Sequence, residues 1–200
     1  MSKVSVQVGL PDRLRGEAAR LYYEAFRLKA DFLFGSREKT LAVLESDLAA
    51  EQALIAVQDD RLVGLAGIQH GRPFINVHFK TYVRVFGWFT ALWRYALAIL
   101  FHRAPRLGEL VMDGIAVDES LRGQGVGTKL LHGVIEFARE HGYQTVRLDV
   151  VDTNPRARQL YERLGFVATE THRHPQAQRV MGFSAATTMI KQVNLGESHG

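Results

Sequence analysis

Residues 121–131 read Leu-Arg-Gly-Gln-Gly-Val-Gly-Thr-Lys-Leu-Leu, with glycine at 123, 125 and 127. Glycines remove the Cβ atoms that would hold a ligand off the backbone, and they permit the positive φ angles that turn successive N–H groups toward one point. A helical apolar pattern follows at once. The unpaired first-turn N–H groups and the positive end of the helix dipole therefore point the same way, which suits a phosphate or pyrophosphate. Arg122 adds a cation at the rim. Spacing separates this loop from two other nucleotide-binding loops. A Walker A loop needs Gly-x4-Gly-Lys-[Ser/Thr], whereas Lys129 here follows Thr128; the dinucleotide fingerprint needs Gly-x-Gly-x-x-Gly, whereas here it is Gly-x-Gly-x-Gly. A tight strand-to-helix turn that uses glycine only for close packing is the other reading of the loop.

Two carboxylates precede it. Glu109 and Asp113 share parity with Val111, Ile115 and Val117, so on a regular strand all five project from one face. Downstream, Asn154, Ala157 and Tyr161 fall at i, i+3 and i+7 and share one helical face. Asn before Pro155 is also a preferred helix N-cap, and a tyrosine in an apolar segment also serves as core, so each residue has a structural reading beside a chemical one.

The elements that must place these groups follow from periodicity. Val4, Val6 and Val8 alternate with polar residues as in a half-buried strand; Pro11-Asp12 opens a helix to about residue 28, and Ser36 caps a second carrying Leu41, Leu44 and Leu48. Residues 53–58 and 62–70 form a hairpin around Asp59-Asp60-Arg61. Residues 109–117, a helix over 125–141 and a strand over 145–151 make a βαβ unit with parallel pairing. A short helix over 154–165 and strands over 166–171 and 180–190 complete an α/β chain.

With the motifs in place, the chain resembles the GNAT superfamily of acyl-CoA-dependent N-acyltransferases. Arg122, Gly125 and Gly127 match its signature [Gln/Arg]-x-x-Gly-x-[Gly/Ala] in register, and Asn154, Ala157, Leu160-Tyr161-x-x-Leu164-Gly165-Phe166 match its second recurrent segment. The likeness is specific over residues 109–166; before that only the order of elements agrees. It implies a single domain over residues 1–194 whose mixed sheet of six to seven strands, flanked by helices, splays at the acyl-CoA site. Acetyl-CoA would lie between the strand ending at Val117 and the one starting near Thr145. Its pyrophosphate would rest on Arg122, Gly123, Gln124, Gly125, Val126, Gly127 and Thr128, and its pantetheine would run along the backbone of Ile115 and Val117, with Asn154 nearby. The acetyl group would pass to a primary amine by direct attack in a ternary complex, with Tyr161 as the acid for the departing thiolate. Glu109, Asp113 or water would serve as base. A sensor that binds acyl-CoA without transfer is the alternative.

One segment departs from the pattern. Residues 71–107 are rich in aromatic side chains and read as a single apolar helix over 82–102. Val85, Trp88, Leu92, Tyr95 and Ile99 form one stripe, and Phe86, Phe89, Trp93, Leu97 and Leu100 another. That is more apolar surface than one contact face needs. Core packing, a homodimer contact, a lid over an apolar acceptor, and a membrane-surface helix rimmed by Arg84, Arg94 and Arg103 are all open readings. Arg84 and Arg94 interrupt residues 83–101, so no run is suited to crossing a bilayer.

Composition sets the outer bounds. The chain of 200 residues is 46% apolar and 23% charged, enough for a sizeable core. A net charge of +4 is a weak argument for nucleic acid, and none is expected. The chain has no cysteine, which excludes a disulfide scaffold, Cys-ligated zinc and a thiol nucleophile. His172 and His174 lie on one side of a strand but lack a third ligand, so no metal is expected. The first ten residues lack signal-peptide character, giving a cytoplasmic expectation, and residues 195–200 read as a frayed tail.

Overall fold

The computed structural model describes residues 3–100, 104–173, 178 and 182–193. Its elements run β1 (Ser5–Val8), α1 (Arg15–Phe34), α2 (Arg37–Asp47), β2 (Ala53–Gln58), β3 (Arg61–Gln69), α3 (Phe79–Phe86), α4 (Trp88–Leu100), β4 (Glu109–Val117), α5 (Val126–Glu140), β5 (Thr145–Val151), α6 (Pro155–Arg163), β6 (Val167–Arg173) and β7 (Ala185–Gln192). Seven strands form one mixed sheet in the order β1-β2-β3-β4-β5-β7-β6. The β4–β5 pair is parallel and every other pair is antiparallel. The hairpin between β2 and β3 turns through Asp59 and Asp60, both with positive φ, which matches the right-handed twist of the strands it joins.

Helices cover both faces of the sheet. On one, α5 buries Leu130, Leu131, Val134 and Phe137 against Leu54, Ala66, Ile68, Leu110 and Met112. On the other, Ala18, Tyr22 and Tyr23 of α1 and Val43 and Leu44 of α2 pack with Ile55, Leu65 and Phe74. The continuous burial of β3 after Arg61 reflects this double cover.

Besides the last strand, expected over 180–190 and found at Ala185–Gln192, the structure departs from the sequence reading in three places. Helix α1 continues to Phe34 because no breaker intervenes before Gly35, whose φ of 88° ends it; the helix bends at Phe26. The apolar segment holds two helices rather than one, since Gly87 adopts φ 73° and ψ 160°, a conformation that stops α3 and that a side chain would disfavour. Strand β4 carries a bulge. Gly67 of β3 pairs with Gly114, yet the next residue, Ile68, pairs with Met112, so Asp113 is the extra residue. The bulge cancels the expected parity. Ile115 and Val117 join Leu110 and Met112 on the α5 face, while Gly114 turns to the α1 face against Phe26.

The insertion is fastened to the body by two polar anchors. The buried Asp47 carboxylate accepts hydrogen bonds from the His78 N–H at 3.1 Å and the Thr81 hydroxyl at 2.8 Å, capping the start of α3 from outside its own chain segment. Arg94 Nη1 donates to the Leu33 carbonyl at 2.6 Å, near the C-terminus of α1, where a cation is favoured. Among the described residues no helix is long and apolar enough to cross a membrane.

Phe74 enters directly over Gly67, and a Cβ there would overlap its fully buried ring. Gly67→Ala is therefore expected to destabilise the protein by about 1–3 kcal/mol, read from the midpoint of urea unfolding.

Candidate functional site

Strands β4 and β5 begin as partners and then separate. Their register runs from Glu109↔Thr145 to Met112↔Leu148 and stops there, although both strands continue. Beyond Met112, β5 stays with β7 while β4 stays with β3, leaving one edge of residues 113–117 without a strand. The Asp118 N–H donates to the Val63 carbonyl at 3.0 Å on the β3 side. Alternation then turns the N–H groups of Ile115 and Val117 to the opposite edge, into the fork.

The glycine loop closes the wide end of that fork. Gly123 has φ 81° and Gly125 has φ 84°, and a Cβ at either position would meet nothing within 4 Å, so the backbone faces open space. Gly127 differs. Its place is set by packing, with Leu160 Cδ2 of α6 at 3.3 Å from where its Cβ would lie. Gly125 caps α5 without a side-chain hydrogen bond. Among the described residues, the N–H groups of Gly123, Gly125, Val126, Gly127 and Thr128 have no acceptor. Five amides at the positive end of a helix form an anion cradle. Arg122 is half exposed beside it, 3.4 Å from Glu119, and Gln124 is turned back to the Ser120 carbonyl at 3.0 Å.

Helix α6 flanks the fork on the α5 side. The Asn154 side-chain oxygen accepts the Ala157 N–H at 3.1 Å, so the residue is the N-cap of α6, which leaves its side-chain NH2 available. Tyr161 is buried in the α5-side core, its ring 6.0 Å from that of Phe166. Its hydroxyl has no hydrogen-bond partner among the described residues, and burial pushes it up to about 12.

Asp113, at the bulge, marks the point where β4 and β5 part. One carboxylate oxygen accepts from the Gln69 side-chain amide and the other from the Phe74 N–H at 3.1 Å. The group borders a cavity of about 280 Å³ on the α1 side of the sheet. Tyr22, Phe26, Phe34, Leu44 and Ile75 form much of its wall, and Lys29 and Asn76 are its other strongly polar members. Burial, and secondarily the Asp113 charge, hold the Tyr22 hydroxyl well above the ordinary tyrosine range.

Glu109 stands apart. It lies at the closed end of the β4–β5 pair, buried, with Oε2 3.3 Å from Arg147 Nη1 and accepting the Arg106 N–H at 3.0 Å. The structure thus places Asp113, Ile115, Val117 and Arg122–Thr128 along the open β4 edge and the loop after it, Asn154 and Tyr161 on α6 on the α5 side of the sheet, and Glu109 in an ion pair at the closed end. Gln69, Phe74 and the cavity-lining Tyr22 were missed by sequence reasoning, whereas Phe26 falls in the stretch of about residues 26–45 to which the family resemblance assigns the acceptor. The available signal was Gly114 inside a strand, a common mark of a bulge. His172 pairs with Glu170 at 3.4 Å, and His174 lies outside the described residues. Among the described residues no group of three His, Cys, Asp or Glu is placed to hold a metal.

Comparison with known proteins agrees with this geometry. The model of the acetyltransferase (GNAT) family matches residues 18–166. The chain belongs to the GNAT family. Curated relatives of this GNAT protein align over short stretches. A probable N-acetyltransferase camello of Xenopus tropicalis is 41% identical over 29% of this chain and 26% of its own length. A thialysine N-epsilon-acetyltransferase of Bos taurus is 41% identical over 28% and 33%. The alignments thus span a quarter to a third of those relatives. Solved GNAT structures share the fold over nearly the whole chain. The ribosomal-protein-S18-alanine N-acetyltransferase of Escherichia coli has a TM-score of 0.59 at 17% identity, covering 99% of each chain. A putative acetyltransferase from Salmonella typhimurium, solved with acetyl-CoA, has a TM-score of 0.62 at 17% identity, covering 98% of this chain and 96% of its own.

The buried Glu109–Arg147 pair generates a stability prediction. Glu109→Ala leaves a guanidinium buried without its partner and is expected to cost about 3–5 kcal/mol in urea unfolding. Replacing both residues together, Glu109→Leu with Arg147→Met, is expected to recover most of that loss.

Proposed function

We propose that this GNAT protein is an N-acetyltransferase that moves the acetyl group of acetyl-CoA to a primary amine by direct attack in a ternary complex. The observation that carries the proposal is the fork whose free β4 edge runs from Asp113 to the unpaired amides at the start of α5. Those amides, with Arg122, would hold the pyrophosphate. The N–H groups of Ile115 and Val117 would bond the pantetheine as a strand bonds its neighbour, independent of side chains. The Asn154 amide would add a donor near the same arm.

The chemistry then divides between the two sides of the sheet. The neutral amine attacks the thioester carbon, the C–S bond breaks, and the CoA thiolate takes the Tyr161 proton. Tyr161 suits this task because its raised pKa keeps it protonated at the pH values where amines begin to lose their proton. The proton that the amine gives up passes toward Asp113, directly or through water. Gln69 and the Phe74 N–H fix the carboxylate's orientation. Glu109 takes no part, its charge being answered by Arg147.

The cavity beside Asp113 supports a class of acceptor. Its wall is largely aromatic and aliphatic, and its volume lies near the lower end of the roughly 300–1,000 Å³ common for small-ligand sites. We assign it a small monoamine with an apolar body, its ammonium directed to Asp113. A second cation along that wall would meet no carboxylate among the residues that line it. The reaction belongs to a thiol-reducing compartment, the cytoplasm, in keeping with a chain without cysteine and with the free thiol released at each turnover.

Two outcomes test this reading. Tyr161→Phe is expected to lower kcat about 100-fold while leaving acetyl-CoA binding, measured calorimetrically, within about twofold. An unchanged kcat removes Tyr161 from the reaction. In wild type, kcat is expected to rise with pH and show no decline below about pH 10, because the hydroxyl stays protonated until higher pH. In a thiol-release assay with phenethylamine and spermidine, the first is expected to be the better acceptor. Acetyl-CoA binding without thiol release for any amine would indicate a sensor instead.

A further inference from the structure

Among the described residues, helix α4 carries an apolar surface that the body of the protein does not cover. Phe89 is 92% exposed and Trp88 64%, and Leu92, Trp93 and Ile99 are each more than half exposed. Trp88 and Leu92, like Phe89 and Trp93, stand one turn apart, so these side chains form adjoining rows. The opposite side of the helix is committed inward. Ala91 is fully buried, Tyr95 packs its ring 5.3 Å from Phe79 and 5.7 Å from Tyr82, and Arg94 reaches the Leu33 carbonyl. Helix α4 therefore lies flat on the molecule and presents two tryptophans, a phenylalanine and two aliphatic residues outward. Such a patch marks an interaction site.

Charge identifies the partner. Residues 71–108 contain six Lys and Arg and not one Asp or Glu, although the chain has 21 acidic residues elsewhere. Arg72 is paired with Glu51 and Arg94 is turned inward, which leaves Lys80 and Arg84 as the exposed cations of α3. Lys39 Nζ sits 5.5 Å over the Phe86 ring beside them. A second copy of the same face would bring these cations together without an acid in the segment to answer them. A surface that is apolar within and negative at its border answers both features, which is the character of an anionic bilayer interface. Trp is favoured at headgroup depth, and Lys and Arg are drawn to anionic lipid.

We propose that the α4 face docks on an anionic lipid surface, lying in the plane of the headgroups rather than crossing the bilayer. Ile99 belongs both to this face and to the wall of the cavity beside Asp113. Docking thus sets the cavity next to the lipid, where an apolar amine would concentrate. The docking itself does not depend on the reaction assigned above.

The chain's two tryptophans are Trp88 and Trp93, so intrinsic fluorescence reports this face alone. With vesicles of equal parts phosphatidylcholine and phosphatidylglycerol, the emission is expected to shift to the blue and the protein to float with the vesicles. Vesicles of phosphatidylcholine alone, or added salt, are expected to weaken both effects. Phe89→Ser with Leu92→Ser is expected to lower partitioning about tenfold or more, with the thermal unfolding midpoint by circular dichroism nearly unchanged. Lys80→Glu with Arg84→Glu is expected to abolish the preference for anionic vesicles. Equal binding to neutral and anionic vesicles overturns the proposal. So does an unshifted emission with anionic vesicles, or a lipid-free dimer by light scattering in which both tryptophans are already shielded.

Discussion

The parting of β4 from β5 after Met112 is the constraint from which the site follows. A parallel pair normally satisfies both edges along its length, and here the pairing is withdrawn where the ends of the strands approach the glycine loop. The bulge at Asp113 accompanies that withdrawal, redirecting β4 while preserving its bonds to β3. One irregularity thus does two things. It aims a carboxylate into the cavity on one face, and it turns the Ile115 and Val117 amides toward the gap and their side chains toward the other face.

The two faces are built differently. On the α5 side, the cradle amides sit at the start of a helix whose remaining length is locked into the core by Leu130, Leu131 and Val134. Rigidity there preserves the convergence of the N–H groups, since an anion site of backbone amides works only if they need not reorganise. On the α1 side, the cavity is walled by α1, α2 and the segment leading into α3. The insertion is pinned by Asp47 at the start of α3 and by Arg94, whose guanidinium reaches the Leu33 carbonyl and lies over the Trp93 ring. The anchors hold the insertion in place while Trp88, Phe89, Leu92 and Ile99 stay more than half exposed.

Much of the scaffold was legible because it rests on local patterning. The hairpin, the βαβ unit, the Arg122–Thr128 loop and the Asn154 cap each carry their signal within a few residues, and the structure has them where alternation, glycine spacing and capping chemistry put them. The parity of β4 was misjudged because a bulge depends on pairing with β3, a relation between residues far apart in sequence; Gly114 was its only local sign. Glu109 could not be distinguished from Asp113 for a similar reason. Both are acids on the same strand, and only the neighbour Arg147, supplied by β5, shows that one is already neutralised. Half of the cavity wall falls in the stretch of about residues 26–45 to which the family resemblance assigns the acceptor; most of the rest was out of reach because it comes from the segment that leads into α3, from α4 and from the β4 bulge, far apart in sequence. The reading of residues 82–102 as one helix failed at Gly87, where helical periodicity continues across a residue whose backbone leaves the helix.

A gap in the middle of a sheet has a cost apart from chemistry. The free edge of β4 is an interior version of the unpaired margin that proteins elsewhere blunt with charge, proline or a covering loop. In the proposed reading the extended arm of acetyl-CoA would complete that ladder. The cosubstrate would then serve as a surrogate strand, and its abundance in the cell would govern how often an intruding peptide segment finds that margin bare.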